Sequence, residues 1–442
     1  MKSKNINLVV LSLMLLLFAC NSNKNDADFV KVNGTHFELG DEPYYFMGTN
    51  YWYGAYLGMK EKPGNRERLN KELDQLKGNG ITNLRVLAGS NLSSIHNSLK
   101  PAFQKAPGDY NEKLLDGLDY LLSEMDKRGM HAVLFLTNYW EWSGGMSQYL
   151  AWENKGKLID PAVDGNWSGF MNYSKEFYTD LKAQKVFRQY VNMLLTRQNN
   201  YTGRFYREEP AIMAWELANE PRPGSGAEGL ASIDTLINWV NETAMFIKSV
   251  DPNHLVTTGS EGLAGCMESP RCYINEHGSN YIDYATVHLW AKNWGWFKAD
   301  SMEKTLVISL HNAADYLNKH IAMARKINKP LVLEEFGLGR DYEKYDLNAP
   351  VTARNRYYKN IFSLMYDSAA MGAPVAGINF WAYGGAGRAQ HEDYKWQIGD
   401  PFTGDPPQEP QGLNSVFDTD TSTLNIIHNY AGKFMSLDAL KK

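Results

Sequence analysis

The chain has 442 residues and a formal net charge of −5, its 45 Lys and Arg and 50 Asp and Glu interspersed throughout. There is no basic stripe to suggest a nucleic-acid surface and no excess charge to suit an ionic polymer, so a neutral partner is expected. Aromatics reach 13%, with 12 Trp and 26 Tyr, which is more than core packing requires and leaves rings to serve as flat platforms for a ligand.

In chain order, the first feature is a targeting segment: Lys2 and Lys4, an apolar stretch from Leu8 to Phe18, then Ala19-Cys20. The run is too short to span a bilayer. Leu17-Phe18-Ala19-Cys20 resembles the lipobox of bacterial lipoproteins, which implies export, cleavage and lipidation at Cys20, with an ordinary signal peptide as the alternative. Residues 21–28 then read as a polar tether and 29–442 as one folded domain, expected to be monomeric and to meet a membrane only through the anchor.

Eight strand-like runs follow: Phe46 to Tyr51, Asn83 to Leu87, Ala132 to Thr137, Ile212 to Leu217, Leu255 to Thr258, Tyr284 to Leu289, Leu331 to Glu334 and Gly377 to Phe380. Helical patterns separate them, as in Leu114, Leu118, Leu121, Leu122 and Met125, or Val186, Tyr190, Met193 and Leu194. Eight strand–helix units predict an α/β fold, the (β/α)8 or TIM barrel, and Pro221, Gly259 and Gly337 mark where loops leave its strands. The stretch from Asn138 to Ala183 is long for such a loop and rich in aromatics, so it is expected to wall a cleft. Residues 399–412 hold four prolines, which predicts an ordered irregular loop before a last helix over Asn425 to Leu437. Cys266 and Cys272 suggest a small disulfide in an exported protein; metal binding and two free thiols are the alternatives.

Two apolar runs end in glutamate before a turn: Trp215-Glu216-Leu217-Ala218-Asn219-Glu220-Pro221 and Leu331-Val332-Leu333-Glu334-Glu335-Phe336-Gly337. Carboxylates on two separate strand ends can flank one glycosidic bond, one protonating the leaving oxygen while the other attacks the sugar or activates water. Barrel enzymes carry catalytic groups at the C-terminal strand ends, and there this chain also has Arg85, Asn138, Asn219, His288 and Trp381. A charge inside an apolar run needs a partner, and convergence at one rim would supply it. Glu216 sits mid-strand and reads as a buried structural acid, while Glu334 points away from its neighbour Glu335.

Asn219-Glu220-Pro221, His288 and Glu335-Phe336-Gly337, in this order and with Arg85 and Trp381, resemble glycoside hydrolase family 5, over about Phe29 to Leu437. Gly48-Thr49-Asn50-Tyr51-Trp52, Trp215 to Arg222 and Gly404 to Gly412 resemble its β-mannanases. The resemblance implies Glu220 as acid/base, Glu335 as nucleophile kept ionised by Arg85, Asn219 on the sugar 2-hydroxyl, His288 tuning the acid, and Trp381 as sugar platform. Asn138 and Trp52 join the expected substrate-contacting set. Many members carry Tyr two residues after the sixth-strand His; here Trp290 stands there, which puts the nucleophile's second hydrogen bond in question and suggests a sugar-binding wall of Trp290, Trp294 and Trp296. Trp140 and Trp142 divide evenly between cleft and packing. The expected activity is retaining endo-β-1,4-mannanase, acting on mannan without metal or cofactor. An exo-acting β-mannosidase or a cellulase is the near alternative, and a non-catalytic glycan-binding lipoprotein the distant one.

Overall fold

The computed structural model describes residues 29–154 and 157–440; the targeting segment and tether lie outside them. Eight parallel strands form the centre: Phe46–Asn50, Asn83–Leu87, His131–Phe135, Ile212–Glu216, Leu255–Thr257, Ala285–Leu289, Leu331–Phe336 and Val375–Phe380. All but His131 are buried, as the apolar runs require of a sheet covered on both faces. Pairing runs 5-4-3-2-1-8-7-6 in barrel order. The fifth and sixth strands are joined by single bonds: Asp283 N to Val256 O at 2.8 Å, Thr257 Oγ1 to Tyr284 O at 3.0 Å and His288 N to Glu261 O at 3.1 Å. These close the (β/α)8 barrel expected from the strand count.

The helices pack as their periodicity predicted. In Glu112–Asp126 the stripe Leu114, Leu118, Leu121, Leu122 and Met125 is buried, and Asn111 caps the N-terminus by accepting from Leu114 N. Each such side chain contributes about 1.5–3 kcal/mol by leaving water. In Leu181–Leu195, Val186, Tyr190 and Leu194 are buried while Met193 lies at the edge, with Asp180 as the cap.

Three features differ from the expectation. An antiparallel sheet of Val30–Asn33, His36–Leu39 and Glu42–Tyr44 precedes the barrel; its Val30 and Phe37 join Phe46, Val133, Met213 and Val332 in a cluster that plugs the barrel's N-terminal mouth. Residues 138–180 hold the helices Gly145–Asn154, Pro161–Asp164 and Trp167–Ser174 rather than open loop. The disulfide expectation fails: Cys266 and Cys272 are free buried thiols. Cys272 lies in the first turn of helix Pro270–His277, and the Cys266 thiol donates to Glu276 Oε1 at 3.2 Å.

The Pro-rich loop after the eighth strand is ordered. Tyr383–Gly385 pairs with Val416–Phe417 at its base. The Asp405 carboxylate gathers the N–H groups of Gly412 at 2.8 Å and Asn414 at 2.7 Å. The last helix begins at Thr421, earlier than the apolar pattern alone indicated.

Candidate active site

Strand register brings the polar residues together. Asn50 pairs with Arg85 across strands one and two, and Asn138 with Asn219 just beyond strands three and four. A register shift between Val287 and His288 sets His288 opposite Glu335. Glu220 leaves the fourth strand with φ of 52°, a left-handed conformation that a side-chain-bearing residue adopts only where surrounding structure enforces it. Gly259, φ 74°, lies against it: a Cβ there would stand 2.0 Å from Ala218 O and 2.3 Å from Glu216 Oε1, so only glycine fits.

Arg85 is the hub. Fully buried, it donates from Nε to Glu216 Oε2 at 2.7 Å and from Nη2 to Glu216 Oε1 at 2.5 Å, and it also reaches Asn219 Oδ1 at 2.8 Å, Asn50 Oδ1 at 3.0 Å and Glu335 Oε1. Glu216 is therefore the structural acid paired with this arginine, and Arg85 also places a cation against Glu335. Trp290 Nε1 donates to Glu335 Oε2 at 3.1 Å. The second hydrogen bond left in question by the absent Tyr is thus made by an indole.

Glu220 accepts from Trp140 Nε1 at 2.6 Å through Oε2, and its Oε1 lies 2.7 Å from His288 Nδ1. The same Nδ1 is 3.3 Å from Glu335 Oε2. Burial disfavours a charged imidazole, but the flanking carboxylates of Glu335 and Glu220 outweigh it and hold His288 well above its usual range. Burial likewise raises Glu220, while His288, Arg222 and Trp140 pull it below the usual carboxylate range. Across the 2.7 Å contact each group favours the other's charged form. Facing oxygens of Glu220 and Glu335 lie within 4.8 Å of each other.

A cavity of about 530 Å³ opens over these groups, lined by Asn219, Glu220, Glu335, Trp290 and Trp381. Trp290 meets Trp381 edge-on at 5.9 Å. Asn219 spends its oxygen on Arg85 and one amide hydrogen on Asn138 Oδ1 at 3.1 Å, leaving a second hydrogen for a ligand. Arg85, Asn138 and His288 do not line the cavity; they are buried behind it and hold the residues that do. Trp52 is a correction: it is fully buried, and its Nε1 donates to Gly404 O at 2.9 Å, anchoring the Pro-rich loop instead of meeting a ligand.

The structure also settles Trp140 for the cleft and adds residues that the sequence did not single out. Trp140, two positions past Asn138, is a partner of Glu220, and Arg222 lies over its ring at 5.0 Å. Glu141 and Glu409 line the cavity, each with an Oε2 that has no hydrogen-bond partner among the described residues. Burial, with Asp160 nearby, pushes Glu141 up to about 7; burial, Asp405 and the catalytic-site acids push Glu409 up to about 8. Their signal in sequence is faint: acids in loops next to Trp or Pro.

Closely spaced carboxyls at the C-terminal ends of strands four and seven, one beside a buried guanidinium and one against an imidazole, define a (β/α)8 glycoside hydrolase. A family model described as GH family 5 beta-mannosidase-like matches residues 27–439. The chain is 32% identical over 405 residues to mannan endo-1,4-beta-mannosidase 5 of Solanum lycopersicum, covering 87% of this chain and 89% of that one. A family 5 mannosidase structure from Rhizomucor miehei superposes with a TM-score of 0.86 at 34% identity, over 94% of this chain and all of the other. The endo-beta-1,4-mannanase from Thermotoga petrophila does so with 0.66 at 27%, over 88% of this chain and 77% of that one. The chain belongs to glycoside hydrolase family 5.

Proposed function

We propose that this chain is a retaining β-mannoside hydrolase that removes mannose from the non-reducing ends of β-1,4-linked manno-oligosaccharides. The observation that carries the chain-end reading is a clasp over the cavity. Gln408 Nε2, from the Pro-rich loop, donates to His96 O at 3.0 Å, and His96 N donates to Asp160 Oδ2 at 2.7 Å. Three loops, after strands two, three and eight, are thereby bridged. Gln408 and Glu409 line the cavity beside this bridge. A polysaccharide running through the site would have to pass the clasp, whereas a chain end fits against it. The beta-mannosidase-like family model favours the same reading.

Internal cleavage, expected from the sequence, is the second reading, and the activity in the tomato relative's name favours it. Either way the chemistry is the same. Glu335, held by Arg85 and Trp290, attacks the anomeric carbon while Glu220 passes a proton to the departing oxygen. Water, deprotonated by Glu220, then releases the sugar. Separation of the facing oxygens within 4.8 Å suits a retaining pair, for which about 5–5.5 Å between carboxyls is typical, rather than the roughly 6.5–9.5 Å of an inverting one. Asn219 directs its remaining amide hydrogen to the 2-hydroxyl, which is axial in mannose. Incubation with mannobiose, mannotetraose and cellotetraose tests this: hydrolysis of the mannosides is expected, and preference for the glucoside contradicts it.

Export and lipid attachment at Cys20 complete the proposal, carried by the lipobox-like Leu17-Phe18-Ala19-Cys20. Cys20→Ala should release the protein from membranes; unchanged membrane association contradicts the anchor.

A further inference from the structure

The segment after the fifth strand carries two thiols and, one helical turn beyond the second of them, a carboxyl: Cys266, Cys272 and Glu276. None of the three takes part in the chemistry at Glu220 and Glu335. Ser269 caps the helix Pro270–His277 by accepting from Cys272 N at 3.3 Å, and Cys272 and Glu276, four residues apart, share one face of that helix. A tight turn precedes it: Cys266 N donates to Gly262 O at 2.9 Å and Glu268 N to Leu263 O at 2.8 Å, with Met267 and Glu268 both at positive φ. The turn returns Cys266 to the helix, so that one ligand atom from each of the three side chains lies within 4.8 Å of the others.

All three residues are fully buried. The Cys266 thiol donates to Glu276 Oε1 at 3.2 Å, and Glu276 Oε2 has no hydrogen-bond partner among the described residues. A buried carboxyl oxygen without a partner is costly. In sequence the two thiols lacked a third donor, and the helix supplies it. We infer that Cys266, Cys272 and Glu276 form a buried site for a thiophilic divalent cation of the zinc class. Two sulfurs and a carboxyl oxygen are donors that zinc accepts, whereas magnesium and calcium take oxygen alone. On binding, each S–H bond breaks, its proton passes to solvent and the sulfur electron pair goes to the metal, so two thiolates balance the charge of the ion. The ion braces the turn against the helix. Glu261, at the head of that turn, accepts from Arg222, and its carbonyl accepts from His288 N at 3.1 Å. The brace therefore stands behind the neighbours of the acid/base and touches no reacting atom.

The test uses the full-length protein isolated from cells supplied with zinc and passed through gel filtration. Elemental analysis should find about one zinc per chain in the wild type and essentially none in the double variant Cys266→Ala, Cys272→Ala. X-ray absorption at the zinc edge should show sulfur at about 2.3 Å and oxygen at about 2.0–2.2 Å. Glu276→Gln keeps the shape of the side chain but offers a poorer donor, and it guards against misfolding of the cysteine variant. It should hold zinc at least about 10-fold more weakly against a competing chelator. A wild type without zinc, zinc retained by the double variant, a zinc shell free of sulfur, or Glu276→Gln matching the wild type overturns the site.

Discussion

Glu335 is held by two donors of different kind, a buried guanidinium and an indole, and they should fail differently. Glu335→Ala should lower kcat by roughly 10⁴-fold or more while the protein stays folded, since the nucleophile itself is gone; substantial residual turnover in steady-state assays would remove it from that role. Trp290→Phe keeps the ring but removes the N–H at 3.1 Å from Glu335. A hydrogen bond to a charged group is worth about 1.5–3 kcal/mol, so kcat should fall roughly 10–100-fold. An unchanged kcat would mean that Arg85 alone suffices. At this scale the sequence disclosed much of the site, because charges inside apolar strands have few places to go. Trp52 misled because its motif lies beside the site, whereas its ring faces the underside of the Pro-rich loop. Glu141 and Glu409 were unreadable because a loop acid comes to line a cavity only when distant loops close around it.

Loops decide what the barrel can accept. The clasp joins His96 to Asp160 and Gln408 through two hydrogen bonds, each contributing on the order of 1 kcal/mol. The double variant Asp160→Ala, Gln408→Ala should therefore remain folded but let chains pass. Its products from mannohexaose should shift from mannose toward mannobiose and mannotriose, as read by chromatography; an unchanged pattern would show that the clasp does not set the mode of attack. The long third-strand connection was legible as a cleft wall, and Trp140, Trp142 and Trp167 on it do line the cavity. Its helices were not, because they are short, Gly145–Asn154 being the longest of them. The opening three-stranded sheet was missed although Gly34 and Gly40, both at positive φ, punctuate it: strands of three or four residues leave too little alternation to stand out.

The barrel as a whole was readable because eight apolar runs of similar length admit few other closed arrangements. Its buried ionisable groups were not, and one of them makes stability depend on pH. Burial raises Glu276 from 4.5 to about 7, and its Oε2 has no partner among the described residues. Because the folded state holds this proton more tightly than the unfolded chain does, the contribution is complete below about 4.5 and is lost as pH rises through about 7. Glu276→Gln carries no such proton, so in urea unfolding it should match the wild type near pH 4.5 and exceed it at pH 8 by up to about 3 kcal/mol. An equal difference at both pH values would contradict a buried, protonated acid.

The most direct test of the account is the earliest product mixture from mannohexaose, followed by proton NMR before mutarotation. The account predicts mannose, released as the β-anomer, together with mannopentaose. Internal fragments in the first products, or release of the α-anomer, would contradict it.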